Sequence, residues 1–183
     1  MKAVLWLCGL FWSVVASSAP VTVVDHAKSE IKFVSKQMNV PVEGDFKKFQ
    51  VQFVFDPDKL ASSKASINVE MASIDTGSSE GDAEVQRKPW FNTKEHPRAT
   101  FQSSSVKALG GGKYEVGGKL MIKGRSKDVA VPFTARKVTD GTLLEGAFSM
   151  NRKDFGIGEG AWDDPETVAY EVQIKFKFLG KSK

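Results

Sequence analysis

The side chains that could carry out chemistry are few in this sequence and poorly placed for it. There are two histidines, His26 and His96, and one cysteine, Cys8. Nucleophilic catalysis needs a nucleophile with a base in hydrogen-bond reach. His26 stands beside Asp25 and His96 directly before Pro97, which suits surface or turn positions, and no serine sits in a Gly-x-Ser-x-Gly elbow. The histidines lack zinc-ligand spacing, and no Asp-rich calcium loop occurs. Asp163-Asp164-Pro165 reads as a turn. Gly110-Gly111-Gly112-Lys113 resembles half of a phosphate loop, but no Ser or Thr follows the lysine and no helix pattern begins there, so it reads as a hairpin. These spacings argue against hydrolysis, phosphoryl transfer and metal catalysis. They imply no cofactor and no catalytic residue.

The unusual feature is apolar. Phenylalanine occurs 13 times against 2 tyrosines. A chain rich in the aromatic without a polar handle is building a large dry core or lining an apolar cavity. With 183 residues, 41% hydrophobic and 26% charged, the chain can form one sizeable core. That composition excludes a disordered tail, a collagen-like fibre and a multi-span membrane protein. A single cysteine excludes a disulfide scaffold. The net charge of +4 is too modest to argue for nucleic acid. Lys175 and Lys177 alternate with Phe176 and Phe178, so charges and rings fall on opposite faces, which is unsuited to base stacking. An outer-membrane barrel needs aromatic girdles that two tyrosines do not supply.

At the N-terminus, Lys2 precedes an apolar run over residues 3–16, followed by Ser17-Ser18-Ala19-Pro20. This is the pattern of a secretory signal peptide, and the run is shorter than the ~20 residues of a membrane span. We assign residues 1–18 to the signal, with Cys8 lost on cleavage, and 19–183 to one domain.

Period-two alternation dominates that domain. Tyr170, Val172, Ile174, Phe176 and Phe178 share one face of a strand whose other face carries Glu171, Gln173, Lys175 and Lys177. Similar patterns cover residues 49–55, 67–71, 114–122 and 144–150, with weaker ones around Ile31 and Phe33, Ala99 and Phe101, and Val129 to Phe133. That gives eight strands. Pro132 marks its strand as an edge or bulge. Turn signals fall at Asp56-Pro57-Asp58, Asp75-Thr76-Gly77, Gly110-Gly111-Gly112, Gly124-Arg125-Ser126 and Asp140-Gly141, leaving connections too short for parallel crossovers. One short helix is expected after Ser79 as its cap, ended by Pro89, with Trp90 and Phe91 tucked beneath it as a lid. An eight-stranded antiparallel sheet with one dry face must close as a barrel or split into a sandwich. A barrel of that size has room for its own side chains and one slender ligand.

Several motifs then become specific. Gly44-Asp45-Phe46-Lys47-Lys48-Phe49, Phe55-Asp56-Pro57, Ser73-Ile74-Asp75-Thr76-Gly77, Phe91-Asn92-Thr93 and Pro97-Arg98-Ala99-Thr100-Phe101 occur in this order. Tyr114-Glu115-Val116-Gly117-Gly118-Lys119-Leu120 and Arg152-Lys153-Asp154-Phe155-Gly156-Ile157-Gly158 follow. Together, over about residues 22–179, the chain resembles the YceI-like family. The resemblance implies an all-β fold, an eight-stranded antiparallel lipocalin-like barrel with a short helix as lid, in the bacterial periplasm. It implies binding of a polyisoprenoid, isoprenoid quinone or other long-chain amphiphile inside the barrel. Two positions where many relatives carry histidine are Gln37 and Glu84 here, which points to a different headgroup or none.

On this basis Phe33, Phe46, Phe53, Phe101, Tyr114, Leu120, Phe148 and Met150 are expected to line the cavity. Met38, Val40, Trp90, Phe91, Phe155 and Ile157 are expected at its mouth or lid. Arg152 is the candidate for a headgroup contact or for an internal ion pair with Asp154. The partners expected are a long-chain amphiphile and a transient membrane contact, with no nucleic acid, for a monomer or homodimer. The competing reading is a secreted structural or adhesin-like barrel without a ligand.

Overall fold

A computed structural model describes residues 20–182; the expected signal segment, 1–18, lies outside them. Ten antiparallel strands form one sheet: β1 (Val21–Gln37), β2 (Val40–Phe46), β3 (Phe49–Val54), β4 (Lys64–Glu70), β5 (Ile74–Asp75), β6 (Arg98–Gly110), β7 (Lys113–Ile122), β8 (Arg125–Val138), β9 (Gly141–Asn151) and β10 (Glu171–Ser182). Their spatial order is β3-β4-β6-β7-β8-β9-β10-β1-β2-β5. The sheet curls until its two edges meet. At one end Val21 and Phe55 exchange two backbone hydrogen bonds of 2.9 and 3.0 Å. At the other, a 3-10 turn over Met71–Ser73 carries the chain from β4 into β5, which pairs with β2 through Asp45–Asp75 and Phe46–Ile74. A barrel results, with the dry faces of the strands inside.

The eight patterned segments are all strands. Two further strands, β2 and β5, were not expected. β2 is joined to β1 by a two-residue turn in which Met38 (φ 48°) and Asn39 (φ 63°) both occupy the left-handed region. That geometry suits a tight hairpin, but the pair lacks the glycine that normally advertises it. β5 has only two residues and no pattern of its own.

The helix, α1, spans Ser79–Val85 and packs against β5. Its cap is Ser78 rather than Ser79: the Ser78 hydroxyl oxygen accepts from the Gly81 N–H at 3.1 Å. It ends at Val85, before Pro89, whose carbonyl instead accepts from the Gly158 and Glu159 N–H groups at 2.9 Å each. Pro132 lies in the stretch of β8, residues 125–132, that has no pairing with β9; the β8–β9 ladder runs only from Phe133–Gly146 to Val138–Gly141.

Candidate ligand cavity

The interior holds two apolar clusters. One is built on Val51, Phe53, Phe55, Phe133, Leu144 and Phe178, together with Val21, which bridges to Phe55. The other, built on Met71, Ala99, Ile122, Phe155 and Ile157, fills the end nearest the 152–158 segment. A cavity of about 150 Å³ lies among these side chains, lined by those six of the first cluster and by Ala99 of the second. Its wall exposes apolar atoms only.

Four of the barrel's phenylalanine rings lie against glycines of the wall. Phe176 is paired directly with Gly146, and Phe33 with Gly44. Phe101 lies over Gly118 and Phe53 over Gly180. In each case a Cβ on the glycine would collide with the ring. Four glycines thus make shallow seats for four phenylalanines, three on a neighbouring strand and one, Phe53 of β3 over Gly180 of β10, across the seam of the barrel, an arrangement that also repairs the weak β-propensity of glycine. A side chain at the Gly118, Gly146 or Gly180 seat would displace a ring that lines the cavity.

The expected lining residues divide into two sets. Phe53, Phe101, Leu120 and Phe148 line the cavity. Phe33 and Phe46 pack on each other with ring centroids 5.8 Å apart, outside the lining. Tyr114 is held between Phe55 and Phe133, at 5.0 and 5.4 Å, outside the lining. Met150 packs with the second cluster. Lining residues that were read as strand positions but not as cavity wall include Val51, Ile67, Val131, Phe133, Ile174 and Phe176. Their inward phase was visible in the alternation; which of the inward residues would face empty space depends on where the rings tilt.

The expected mouth is arranged differently. Phe155 (1% exposed) and Ile157 (3%) are fully buried, and Trp90 and Phe91 pack onto the same cluster, so these four close that end as a solid plug. Met38 and Val40 do not border the cavity; they are 71% and 62% exposed on the β1–β2 hairpin. Gln37 forms an isolated bridge with Val168, and the carboxylate of Glu84 accepts from the Trp162 indole N–H at 3.0 Å.

Arg152 is not the ion-pair partner of Asp154. It is 1% exposed, and its guanidinium donates to five backbone carbonyls. Nε reaches Ala169 at 3.1 Å; Nη1 reaches Ile157 and Gly158 at 2.7 and 2.8 Å; Nη2 reaches Trp162 and Val168 at 2.7 and 2.8 Å. The ring of Trp90 lies 5.9 Å from its central carbon and that of Tyr170 5.3 Å. Every hydrogen-bonding direction of the group is thereby used. Asp154 pairs instead with Lys127 at 3.5 Å. Burial pulls the Arg152 pKa down, opposed by the charges of Asp163 and Tyr170. Gly156 and Gly158, with φ of 64° and 70°, take the backbone round this guanidinium, and a Cβ at Gly158 would strike its Nη1. The Arg-x-x-x-Gly-x-Gly pattern is therefore a device for shaping a loop.

A family model described as the YceI-like domain matches residues 23–179. The chain belongs to the YceI-like family. A UPF0312 protein of Azotobacter vinelandii is 33% identical to it over 122 residues, 62% of each chain. The crystal structure of Burkholderia cenocepacia BcnA, 45% identical, superposes with a TM-score of 0.83 over 86% of this chain and 99% of that one. A polyisoprenoid-binding domain from Saccharophagus degradans shares the YceI-like barrel at 12% identity and a TM-score of 0.68, covering 90% and 99% of the two chains. Among the described residues, no group of three or more His, Cys, Asp or Glu is placed to hold a metal in this YceI-like barrel.

Proposed function

We propose that the protein is a periplasmic carrier that holds the hydrocarbon part of a long-chain amphiphile, such as a polyisoprenoid, an isoprenoid quinone or a fatty lipid. It does so without a chemical step. The observation that carries this reading is the dry cavity, whose wall offers nothing to a polar ligand. The polyisoprenoid-binding domain of the same fold supports it, as does the signal-like N-terminus for the location.

A cavity of about 150 Å³ matches the size that admits benzene, whereas sites for whole drug-sized ligands run to about 300–1,000 Å³. The resting protein thus accommodates one end of a chain, and the remainder enters as rings leave their glycine seats. Each buried CH₂ is worth ~0.8 kcal/mol relative to water. The state that competes for the ligand is a bilayer, where that gain is nearly cancelled. Loading and unloading are therefore close to balanced, as a carrier requires.

Organic extraction of purified protein followed by mass spectrometry is expected to release a long-chain lipid or quinone. Phe148→Asp, which puts a carboxylate on the cavity wall at a half-buried site, is expected to yield none while retaining the β-sheet circular dichroism of the parent. Extracts empty after expression in several bacterial hosts, together with no saturable binding of added lipid, would favour a purely structural barrel.

A further inference from the structure

The barrel wall has a slot between β8 and β9. Their ladder ends at Phe133–Gly146, yet both strands continue, β8 back to Arg125 and β9 on to Asn151. Along that stretch each strand pairs only on its other side, β8 with β7 and β9 with β10. Pro132, which has no N–H to give to a ladder, stands where the separation begins. The inward side chains that flank the slot include Val131 and Phe148, and both belong to the cavity wall. Phe148 and the other inward residues along it, Val129 and Met150, are half-buried. The unladdered stretch is therefore edged by apolar side chains, two of which belong to the cavity wall.

Side chains clasp the far end of the slot. Lys127 of β8 pairs with Asp154, beyond β9, at 3.5 Å. Arg125 pairs with Glu159 at 3.4 Å, and Lys123 reaches the same carboxylate at 3.2 Å. Lys127–Asp154 and Arg125–Glu159 are about half exposed, so each is individually weak and easily opened. By contrast, the barrel end nearest the 152–158 segment is filled by the second packed cluster.

We propose that this slot is the portal through which the hydrocarbon chain reaches the cavity, and that the ion pairs spanning it are the clasp that yields as the chain passes. This rests on the carrier reading above and adds the route. If the β8–β9 register is continued past Phe133–Gly146, Ala130 falls opposite Ser149, both exposed. The test is an Ala130→Cys, Ser149→Cys protein in a Cys8→Ser background, joined by a short bifunctional maleimide. A Thr134→Cys, Glu145→Cys protein, bridged across the existing ladder, is the control. Stopped-flow fluorescence follows uptake of cis-parinaric acid, a slender fluorescent C18 chain. The cross-link across the slot is expected to slow uptake by about tenfold or more, and the control cross-link to leave it within about twofold. Equal uptake rates in the two fully cross-linked proteins would overturn the portal while leaving the carrier reading intact. Absence of saturable parinaric acid binding in the parent protein would overturn both.

Discussion

At Arg152 the distinction between binding a ligand and building a site is decided by counting donors. A guanidinium has five N–H groups, and the five carbonyls of Ile157, Gly158, Trp162, Val168 and Ala169 take the bonds it can make. These carbonyls converge from a loop with little regular structure, and without the cation they would face one another unsatisfied. Arg152→Met is accordingly expected to cost about 2–4 kcal/mol, read as a lower urea midpoint with an unchanged slope. Arg152→Lys should recover only part of it, because an ammonium cannot reproduce a planar fork of donors. Neither variant is expected to change the affinity of the folded protein for parinaric acid by more than about threefold. A large loss of affinity in a variant with parental stability would return Arg152 to the ligand site.

At the scale of the elements, the glycine seats explain how a phenylalanine-rich barrel avoids filling itself. Phe101 lies over Gly118 on the neighbouring strand, where any Cβ would meet the ring and the Gln102 carbonyl. Gly118→Val is expected to destabilise the fold by about 1–3 kcal/mol and to weaken parinaric acid binding, since the displaced ring occupies cavity space. Unchanged binding would show that the ring at Phe101 yields outward. This pairing of ring with glycine marks the limit of what could be read from the chain. The alternation of Phe176 and Phe178 with Lys175 and Lys177 states which face is dry, and the motifs around Gly118 and Arg152 identify the family. The tilt of a ring is set by a residue on another strand, so Phe53 and Phe101 line the cavity while Phe33 and Phe46 cover each other. The same holds for Phe155 and Ile157. They are expected at the mouth, but the Arg152 hydrogen bonds pull that loop inward and make it a plug. The β1–β2 hairpin was hidden for a local reason, a Met-Asn turn in which neither residue is glycine.

For the molecule as a whole, the division of labour between inside and outside fixes how stability should depend on pH. Apart from the buried Arg152 guanidinium, the groups whose pKa is shifted on folding are exposed charges, and these set the dependence. Asp75 is held below the ordinary carboxylate range by the Gly77 N–H and by Lys47, Asp140 by its contact with Lys28, and Asp164 by the Glu166 N–H and the Thr167 hydroxyl. A carboxylate whose pKa is depressed on folding stabilises the fold above its unfolded value and loses that contribution as pH falls through the folded one. Lys28, Lys32 and Lys47 are shifted upward by Asp140, Glu30 and Asp45 respectively. Their contribution is complete below the unfolded lysine value and is lost as pH rises through the folded one. The urea midpoint is therefore expected to be level between about pH 5 and 9 and to decline on both sides, at about pH 4 and below and about pH 10.5 and above. Because the charges involved are exposed, 0.5 M salt should flatten both declines, while a buried charge would be little screened. A steep change near neutral pH, or acid and alkaline limbs indifferent to salt, would mean that a buried ionisable group governs the barrel and that the dry interior does not set its stability alone.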